Sequence, residues 1–205
     1  MLKAYKYRIY PNAAQKQKLA HHLGCVRWVY NWGLDAKKTH YEATGKHLTK
    51  RDLQDSLVSL KHTEDYSWLR DVNSQSLLGA LLHLDKAYQN FFKKRANYPR
   101  FKKRHNKQTF ECPQHAKVDQ KKGLLNIPKI KGIKIKLHRA FQGKIKTVTI
   151  TKTAYETYYA SILIENDDQY PPLAPVTESD TLGIDLGLNH FAITSQGERW
   201  PIQNS

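Results

Sequence analysis

The chain has 205 residues, enough for one or two domains, and its 40% hydrophobic and 11% aromatic content excludes a wholly disordered protein. Its formal net charge is +16 at pH 7. Such an excess predicts a polyanionic partner and favours nucleic acid over an anionic membrane surface.

Neither a membrane segment nor a cysteine framework is predicted. No run of about 18 apolar residues occurs, and the N-terminus lacks a signal-peptide pattern, so we expect a cytoplasmic protein. The two cysteines, Cys25 and Cys112, form no CxxC pair, so no disulfide framework or zinc site is expected. His21 and Cys25 are spaced for one helix face, but two ligands do not make a metal site.

The first segment, residues 2–10, alternates in polarity. Tyr5, Tyr7 and Ile9 fall on one face, and the cations Lys6 and Arg8 fall on the other. This period predicts a half-buried strand whose outer face offers Lys6 and Arg8 to nucleic acid. A lone strand needs partners, so we expect it to join strands later in the chain.

Residues 12–107 show helical periodicity and predict a helical, helix-turn-helix-like recognition lobe. Asn12 followed by Gln15, and Thr49 followed by Asp52, predict two capped helix starts. A third helix is predicted from about Ser74 to Arg95.

From Phe110 the pattern becomes that of short strands, predicted at 124–127, 133–137, 145–151 and 157–165. Together with the first strand they predict a small β-barrel made of residues 1–11 and 108–170, which gives an α+β fold with a helical insertion. Prolines at 171, 172 and 175 predict a linker over 171–180.

Two basic sets are candidates for phosphate contact. The first is interleaved with Tyr98 and Phe101, which can stack on bases or simply pack, and comprises Lys93, Lys94, Arg95, Arg100, Lys102, Lys103 and Arg104. The second lies on the predicted barrel and comprises Lys134, Lys136, Arg139, Lys144 and Lys146. The alternative for each set is an ordinary solvated loop or sheet face.

Asp185 lies in a short apolar run between Gly183 and Gly187. A carboxylate in a buried strand is costly unless a cation meets it, so the pattern predicts a Mg²⁺ ligand; the alternative is a turn or cap aspartate. A two-metal site needs about two or three carboxylates. Glu178, Asp180 and Glu198 fall in the predicted linker or a turn and do not supply them, so Asp185 alone is not expected to hold Mg²⁺ tightly.

Several motifs in chain order resemble the TnpB (OrfB) proteins of small insertion sequences: KAYKYRIYPNAAQ at 3–15, LGCVRWVYNW at 23–32, LDKAYQNFF at 84–92 and YPRFKK at 98–103. The stretch TLGIDLGLNHFAITS at 181–195 resembles the first strand of a RuvC/RNase H-like nuclease. The resemblance extends along the whole chain.

The resemblance implies an RNA-guided, Mg²⁺-dependent DNA endonuclease related to type V CRISPR effectors, with double-stranded DNA and a guide-type RNA as partners. It implies a split oligonucleotide-binding-like barrel that grips RNA, a helical lobe, and the start of a RuvC-like domain at 181–205. In the family, helical-lobe residues recognise a short target-adjacent motif. The corresponding neighbourhood here holds Lys50, Arg51, Ser74, Gln75 and Leu78. Gln75 is suited to adenine and Arg51 to guanine, and N-capping is the alternative for Ser74.

The family's remaining catalytic carboxylates and its CxxC zinc module have no match in this sequence. Our first hypothesis is therefore a truncated form that binds nucleic acid with little or no cleavage. Two alternatives remain open: a non-enzymatic nucleic-acid-binding regulator, and one half of a split nuclease completed in trans. The oligomeric state is left open.

Overall fold

The computed structural model describes residues 1–167, 177, 179 and 181–201. The chain divides into two compact units, 1–168 and 169–205. Most of the predicted linker at 171–180, with Glu178 and Asp180, lies outside the described residues.

Four helices follow the first strand. They are α1 (Ala13–Thr44), α2 (Lys50–Leu60), a 3-10 helix (Glu64–Asp71) and α3 (Ser74–Phe92). Both predicted capping boxes are confirmed, because the Asn12 and Thr49 side chains accept from the third helical backbone N–H and the Gln15 and Asp52 side chains bond back. These caps satisfy donors that a helix start otherwise leaves unpaired.

The predicted end of the third helix at Arg95 is wrong, because α3 ends at Phe92. Lys94 adopts a left-handed φ of 56°. The Arg95 N–H donates to the Asn90 carbonyl at 2.8 Å, and the Lys94 N–H donates to the Phe91 carbonyl at 2.9 Å. This pair of bonds is the Schellman termination, which closes the helix and turns the chain toward residue 98.

The helical core is formed largely by α1 against α3. Leu19, Leu23 and Val26 of α1 are buried, as are Leu81 and Leu84 of α3. Close approach occurs at Gly33, where an added Cβ would meet Leu81 Cδ2 at 2.9 Å. The absence of a side chain there allows the two helices to pack tightly.

A seven-stranded antiparallel sheet forms the rest of this unit, in the order β2-β6-β7-β1-β5-β4-β3. Its strands are β1 (Leu2–Tyr10), β2 (Gln108–Cys112), β3 (Lys117–Asp119), β4 (Leu124–Ile127), β5 (Ile130–Lys136), β6 (Lys144–Lys152) and β7 (Tyr158–Glu165). It curls as a half-barrel rather than closing, because β2 and β3 remain its two edges in the part of the chain that the structure describes.

The first strand lies at the centre of this sheet. β1 pairs with β7 along its length and with β5 at its end, so the expectation that it joins later strands is confirmed. Its alternation is also confirmed, since Tyr7 and Ile9 are buried while Lys6 and Arg8 are exposed. The inner face carries the core and the outer face is solvated.

The second unit contains a small sheet in the order β10-β9-β8, with β8 at Ile184–Asp185, β9 at Ala192–Thr194 and β10 at Arg199–Trp200. The expectation that Asp185 lies in a buried strand is wrong. Asp185 is exposed, and its neighbours Ile184 and Leu186 are 62% and 70% exposed. Strands of two or three residues give a sheet too small to cover its own apolar side chains.

Candidate nucleic-acid interface

The outer face of the sheet carries a cross-strand row of cations around an aromatic ring. Arg8 of β1 lies opposite Tyr159 of β7 on one side and opposite Lys136 of β5 on the other. Directly opposed residues in an antiparallel pair point to the same face. Arg8, Lys136 and Tyr159 therefore share one solvent-facing surface.

A second pair of contacts extends this row. The Lys6 ammonium lies 4.7 Å from the centroid of the Tyr159 ring, and the Arg8 guanidinium lies 5.5 Å from that of Tyr10. Tyr10 is exposed and lies opposite Lys134. We call this surface the outer basic face; its members are Lys6, Arg8, Tyr10, Lys134, Lys136 and Tyr159.

Sequence reasoning missed the two tyrosines of the outer basic face. The signal for Tyr10 was present, because its even position places it with Lys6 and Arg8 on the same side of β1. No comparable signal exists for Tyr159, whose place beside Arg8 depends on the register between β1 and β7.

Lys144 and Lys146 lie at the other end of the sheet. Lys144 is opposite Glu165, and the Lys146 ammonium pairs with the Glu165 carboxylate at 3.0 Å. The hydrogen bond from Lys146 is the main reason that the pKa of the Glu165 carboxyl is lowered. Since Tyr159 and Glu165 are six residues apart on β7, the two ends of the sheet are roughly 20 Å apart. These lysines do not extend the outer basic face continuously.

Arg139 faces a different aromatic group. Its guanidinium lies 5.6 Å from the centroid of Tyr5, on the core side of β1, and its carbonyl accepts the Tyr7 hydroxyl at 2.8 Å. Burial raises the pKa of Tyr7, which keeps the hydroxyl a donor. Arg139 is thus separated from Lys134 and Lys136, although all three belong to one sequence region.

The basic segment after α3 is held against α1. The Asn31 side chain accepts from the Lys102 N–H at 2.8 Å and donates to the Lys102 carbonyl at 3.1 Å. The Lys102 ammonium lies 4.1 Å from the Tyr30 ring centroid, and partial desolvation beside that ring lowers its pKa although the residue as a whole is exposed. The Lys102 backbone therefore anchors the segment, while the side chains of Lys102, Lys103 and Arg104 are all exposed.

The remaining cations of this set are exposed and all precede the anchor in the chain. They are Lys93, Lys94, Arg95 and Arg100. Pro99, which lies between Arg95 and Arg100, is buried and gives the segment a second fixed point. An anchored basic segment loses less conformational entropy on contacting phosphates than a free loop does.

The four positions predicted to recognise bases lie at two helix starts. Lys50 and Arg51 begin α2, and Ser74 and Gln75 begin α3. The capping alternative for Ser74 is wrong, because Asn73 is the cap and accepts from the Gln75 N–H at 3.2 Å. Arg51 pairs with Asp55 at 2.9 Å on an exposed surface. Such a pair contributes little and can be exchanged for another partner.

The described residues do not fit a two-metal centre. Asp185 offers one exposed carboxylate on a two-residue strand. No group of three or more His, Cys, Asp or Glu side chains that could hold a metal occurs among the described residues.

His21 and Cys25 do come together, at 3.7 Å between Nε2 and Sγ, and Asp71 lies 3.6 Å from the same nitrogen. Burial raises the pKa of Cys25 to about 11, so the thiol stays protonated and unreactive at neutral pH. Cys112 is buried as well, with its pKa also raised to about 11.

None of the helices within the described ranges is long and apolar enough to cross a membrane.

Comparison with known proteins identifies related chains. The OrfB_IS605 helix-turn-helix family model matches residues 1–46, which here form β1 and the unbroken helix α1. The chain is 32% identical over its whole length to "Putative RNA-guided DNA endonuclease InsQ" of Escherichia coli K12, covering 50% of that protein. It is 31% identical over 96% of its length to "Putative RNA-guided DNA endonuclease" of Streptomyces pristinaespiralis, covering 49% of that protein.

A third relative, "Virulence protein VsdF" of Salmonella dublin, is 37% identical over 52% of this chain and is covered to 98% of its own length. The chain spans about half the length of the two endonuclease-named relatives. It belongs to the IS605 OrfB/TnpB family.

Proposed function

We propose that this chain is a nucleic-acid-binding protein of the TnpB type that contacts phosphates through the outer basic face. The observation that carries this proposal is the row Lys136–Arg8–Tyr159, with Lys6 stacked on the same tyrosine. Cations in a row match a phosphate backbone, and exposed aromatic rings can stack on bases. The net charge of +16 supports the same partner.

In this proposal the half-barrel and the helical lobe bind different nucleic acids. The oligonucleotide-binding-like half-barrel, residues 1–11 and 108–170, grips a guide-type RNA. The helical lobe, residues 12–107, contacts double-stranded DNA, and Lys50, Arg51, Ser74 and Gln75 recognise bases from exposed helix starts. The names of the InsQ protein and of the Streptomyces relative support DNA and RNA as partners.

RNA-guided DNA cleavage is proposed for the family protein as a whole and not for these 205 residues alone. Residues 181–205 correspond in this proposal to the start of a RuvC-like domain, with Asp185 as one Mg²⁺ ligand. Hydrolysis of a phosphodiester by two metals needs carboxylates on both ions, and the described residues offer one. This chain by itself is therefore assigned binding and not cleavage.

A salt titration of the full chain tests the proposal. Fluorescence anisotropy of labelled duplex DNA and of labelled RNA measures the binding constant at each salt concentration. The logarithm of that constant, plotted against the logarithm of the salt concentration, should have a slope of about −5 or steeper. The triple variant Lys6→Ala/Arg8→Ala/Lys136→Ala should reduce that slope by about 2 to 3. A charge-matched control, Lys121→Ala/Lys122→Ala/Lys129→Ala, removes three exposed turn lysines outside the outer basic face.

The control should leave most of the slope intact. Equal losses in the two triple variants would show that only net charge matters and would reject the outer basic face. A slope near zero in the unmodified chain would reject nucleic-acid binding altogether.

A further inference from the structure

A large hollow in the helical part of the chain is not used by the proposed phosphate contacts. It is a cavity of about 850 Å³ between the C-terminal halves of α1 and α3 and the segment at 98–101. This volume lies within the range of about 300–1,000 Å³ that is typical of small-ligand sites. Its lining includes a group of ring side chains, which are Tyr41, His47, Tyr88, Phe91, Phe92, Tyr98 and Phe101.

These rings form a connected series. Tyr41 is stacked on His47 with centroids 5.0 Å apart, and the edge of His47 meets Phe92 at 6.1 Å. Phe92 also stacks with Tyr88 at 6.2 Å. Ring faces that are already arranged in this way can receive another flat ring at little cost in side-chain entropy.

Polar contacts fix part of the cavity lining. The Tyr88 and Tyr98 hydroxyls are hydrogen-bonded at 2.8 Å, and burial raises the pKa of Tyr88. The Lys37 ammonium donates to the Leu48 carbonyl and lies 5.4 Å from the Tyr88 ring centroid. Because these groups already have partners, this part of the lining offers apolar contact more than hydrogen-bond recognition.

The rim, in contrast, leaves large apolar side chains in water. Phe92 is 64% exposed and Tyr41 is 51% exposed, and Tyr98 and Phe101 are exposed as well. A cluster of this kind is typical of a binding surface, since scattered single exposed apolar residues are ordinary but grouped ones are not.

Charge identifies the occupant. Phe91 lines both this cavity and an adjoining hollow formed with Lys94, Arg95, Ala96 and Asn97. Arg100 lies on the cavity's own lining with Lys37 and Lys38. Two carboxylates line it as well, but Glu42 pairs with Lys38 at 3.8 Å and Asp85 accepts from Gln89 at 2.8 Å. Aromatic faces next to cations match a nucleotide, whose base is flat and apolar and whose phosphate is anionic. An apolar helix of a protein partner would not require cations at the border.

We propose that this aromatic cavity takes unpaired bases of a single-stranded nucleic-acid segment, while Lys94, Arg95 and Arg100 contact the adjoining phosphates. The inference rests on the proposed function, because it assumes that the chain binds nucleic acid at all. It adds a stacking site with little sequence preference, since every base has a π-face and the Tyr88, Tyr98 and Lys37 polar groups already have partners.

The test uses the full chain and an oligonucleotide with 2-aminopurine, whose fluorescence falls on stacking, at one unpaired position. The unmodified chain should quench the probe and should bind the strand more tightly than a fully paired duplex of equal length. The variant Tyr41→Leu/Phe92→Leu keeps apolar side chains but removes two exposed rings. It should lose the quenching and weaken single-strand binding about tenfold, with the salt slope unchanged.

The matched control is Tyr155→Leu, which removes a tyrosine that is 92% exposed on the β6–β7 turn, away from the cavity lining. It should behave as the unmodified chain does. Unchanged quenching and affinity in the double variant, with a steep salt slope retained, would overturn the cavity assignment and leave the proposed function standing. Loss of a dimer in sedimentation with unchanged quenching would assign the cavity to a contact between two copies instead. Absence of any nucleic-acid binding would overturn both proposals.

Discussion

The imidazole of His22 lies flat against the ring of Phe110, with centroids 3.9 Å apart and planes 8° from parallel. His22 belongs to α1 and Phe110 to β2, so this contact joins the helices to the edge of the sheet. Both side chains are buried, and His22 Nε2 has no hydrogen-bond partner among the described residues. A neutral imidazole tolerates this environment, whereas a charged one does not.

This stack predicts a loss of stability in mild acid. Burial, followed by the neighbouring His21, lowers the pKa of His22 to about 4, below its ordinary value of 6.5. Between pH 4 and pH 6.5, His22 is protonated in the unfolded chain but neutral in the folded chain. The free energy of unfolding should therefore fall as pH drops from 6.5 to 4, by about 3 kcal/mol in total.

Urea denaturation across this pH window measures the effect. His22→Phe keeps a stacked ring without the titration and should flatten the pH dependence. His62→Phe, at an exposed imidazole, is the control and should leave it unchanged. An equally steep pH dependence in His22→Phe would contradict the assignment to His22.

Two glycines should respond in opposite directions to the same added methyl group. Gly143 has a φ of 120°, and a Cβ there would lie 2.4 Å from the Glu165 carbonyl oxygen, so Gly143→Ala should lower the unfolding free energy by about 2 kcal/mol or more. Gly24 is helical with open space around its Cβ position, so Gly24→Ala should raise it by about 0.5 to 1 kcal/mol. Urea midpoints at pH 7 measure both changes. A stabilised Gly143→Ala variant would contradict the described turn before β6.

Glycine substitutions at Lys93 and Lys94 distinguish the effect of backbone strain on stability from the effect of losing a charge. Lys94 holds the left-handed position of the Schellman termination, while Lys93 has a φ of −79°. Lys94→Gly should raise the unfolding free energy by about 1 kcal/mol, because glycine adopts that conformation without a Cβ penalty. Lys93→Gly removes the same charge without that relief and should be neutral or destabilising. Thermal denaturation of the two variants measures the difference, and equal melting temperatures would count against the described helix end.

The 205-residue chain should not cut DNA at a defined site with Mg²⁺ or Mn²⁺, even with RNA that co-purifies with it. Asp185 is exposed and is the single catalytic candidate among the described residues, and Mg²⁺ keeps most of its waters unless several ligands converge. A plasmid cleavage assay compares the unmodified chain with Asp185→Ala, which should bind nucleic acid equally well. Site-specific cuts that disappear only in Asp185→Ala would show that a complete site assembles, for example between two copies.

Local features of this protein follow from its sequence. Both capping boxes depend on side chains three residues apart, and the alternation in β1 depends on a period of two. The buried stripe of α1 follows from helical spacing in the same way. Short-range spacing determines such features because the interacting atoms are close along the chain, so no knowledge of the rest of the fold is needed.

Tertiary structure alone decided which candidate residues share a surface. Tyr159 lies beside Arg8 because of the register between strands about 150 residues apart in sequence, and a one-residue shift would turn it to the core. Arg139 lies beside Tyr5 and not beside Lys134 or Lys136, and Lys102 lies on Tyr30 with its backbone held by Asn31. Asp185 is exposed although its neighbours are apolar, because burial requires covering elements that a run of apolar letters does not supply. Composition thus determined the class of partner that we propose, while pairing between distant segments determined which residues form the surface that can bind it.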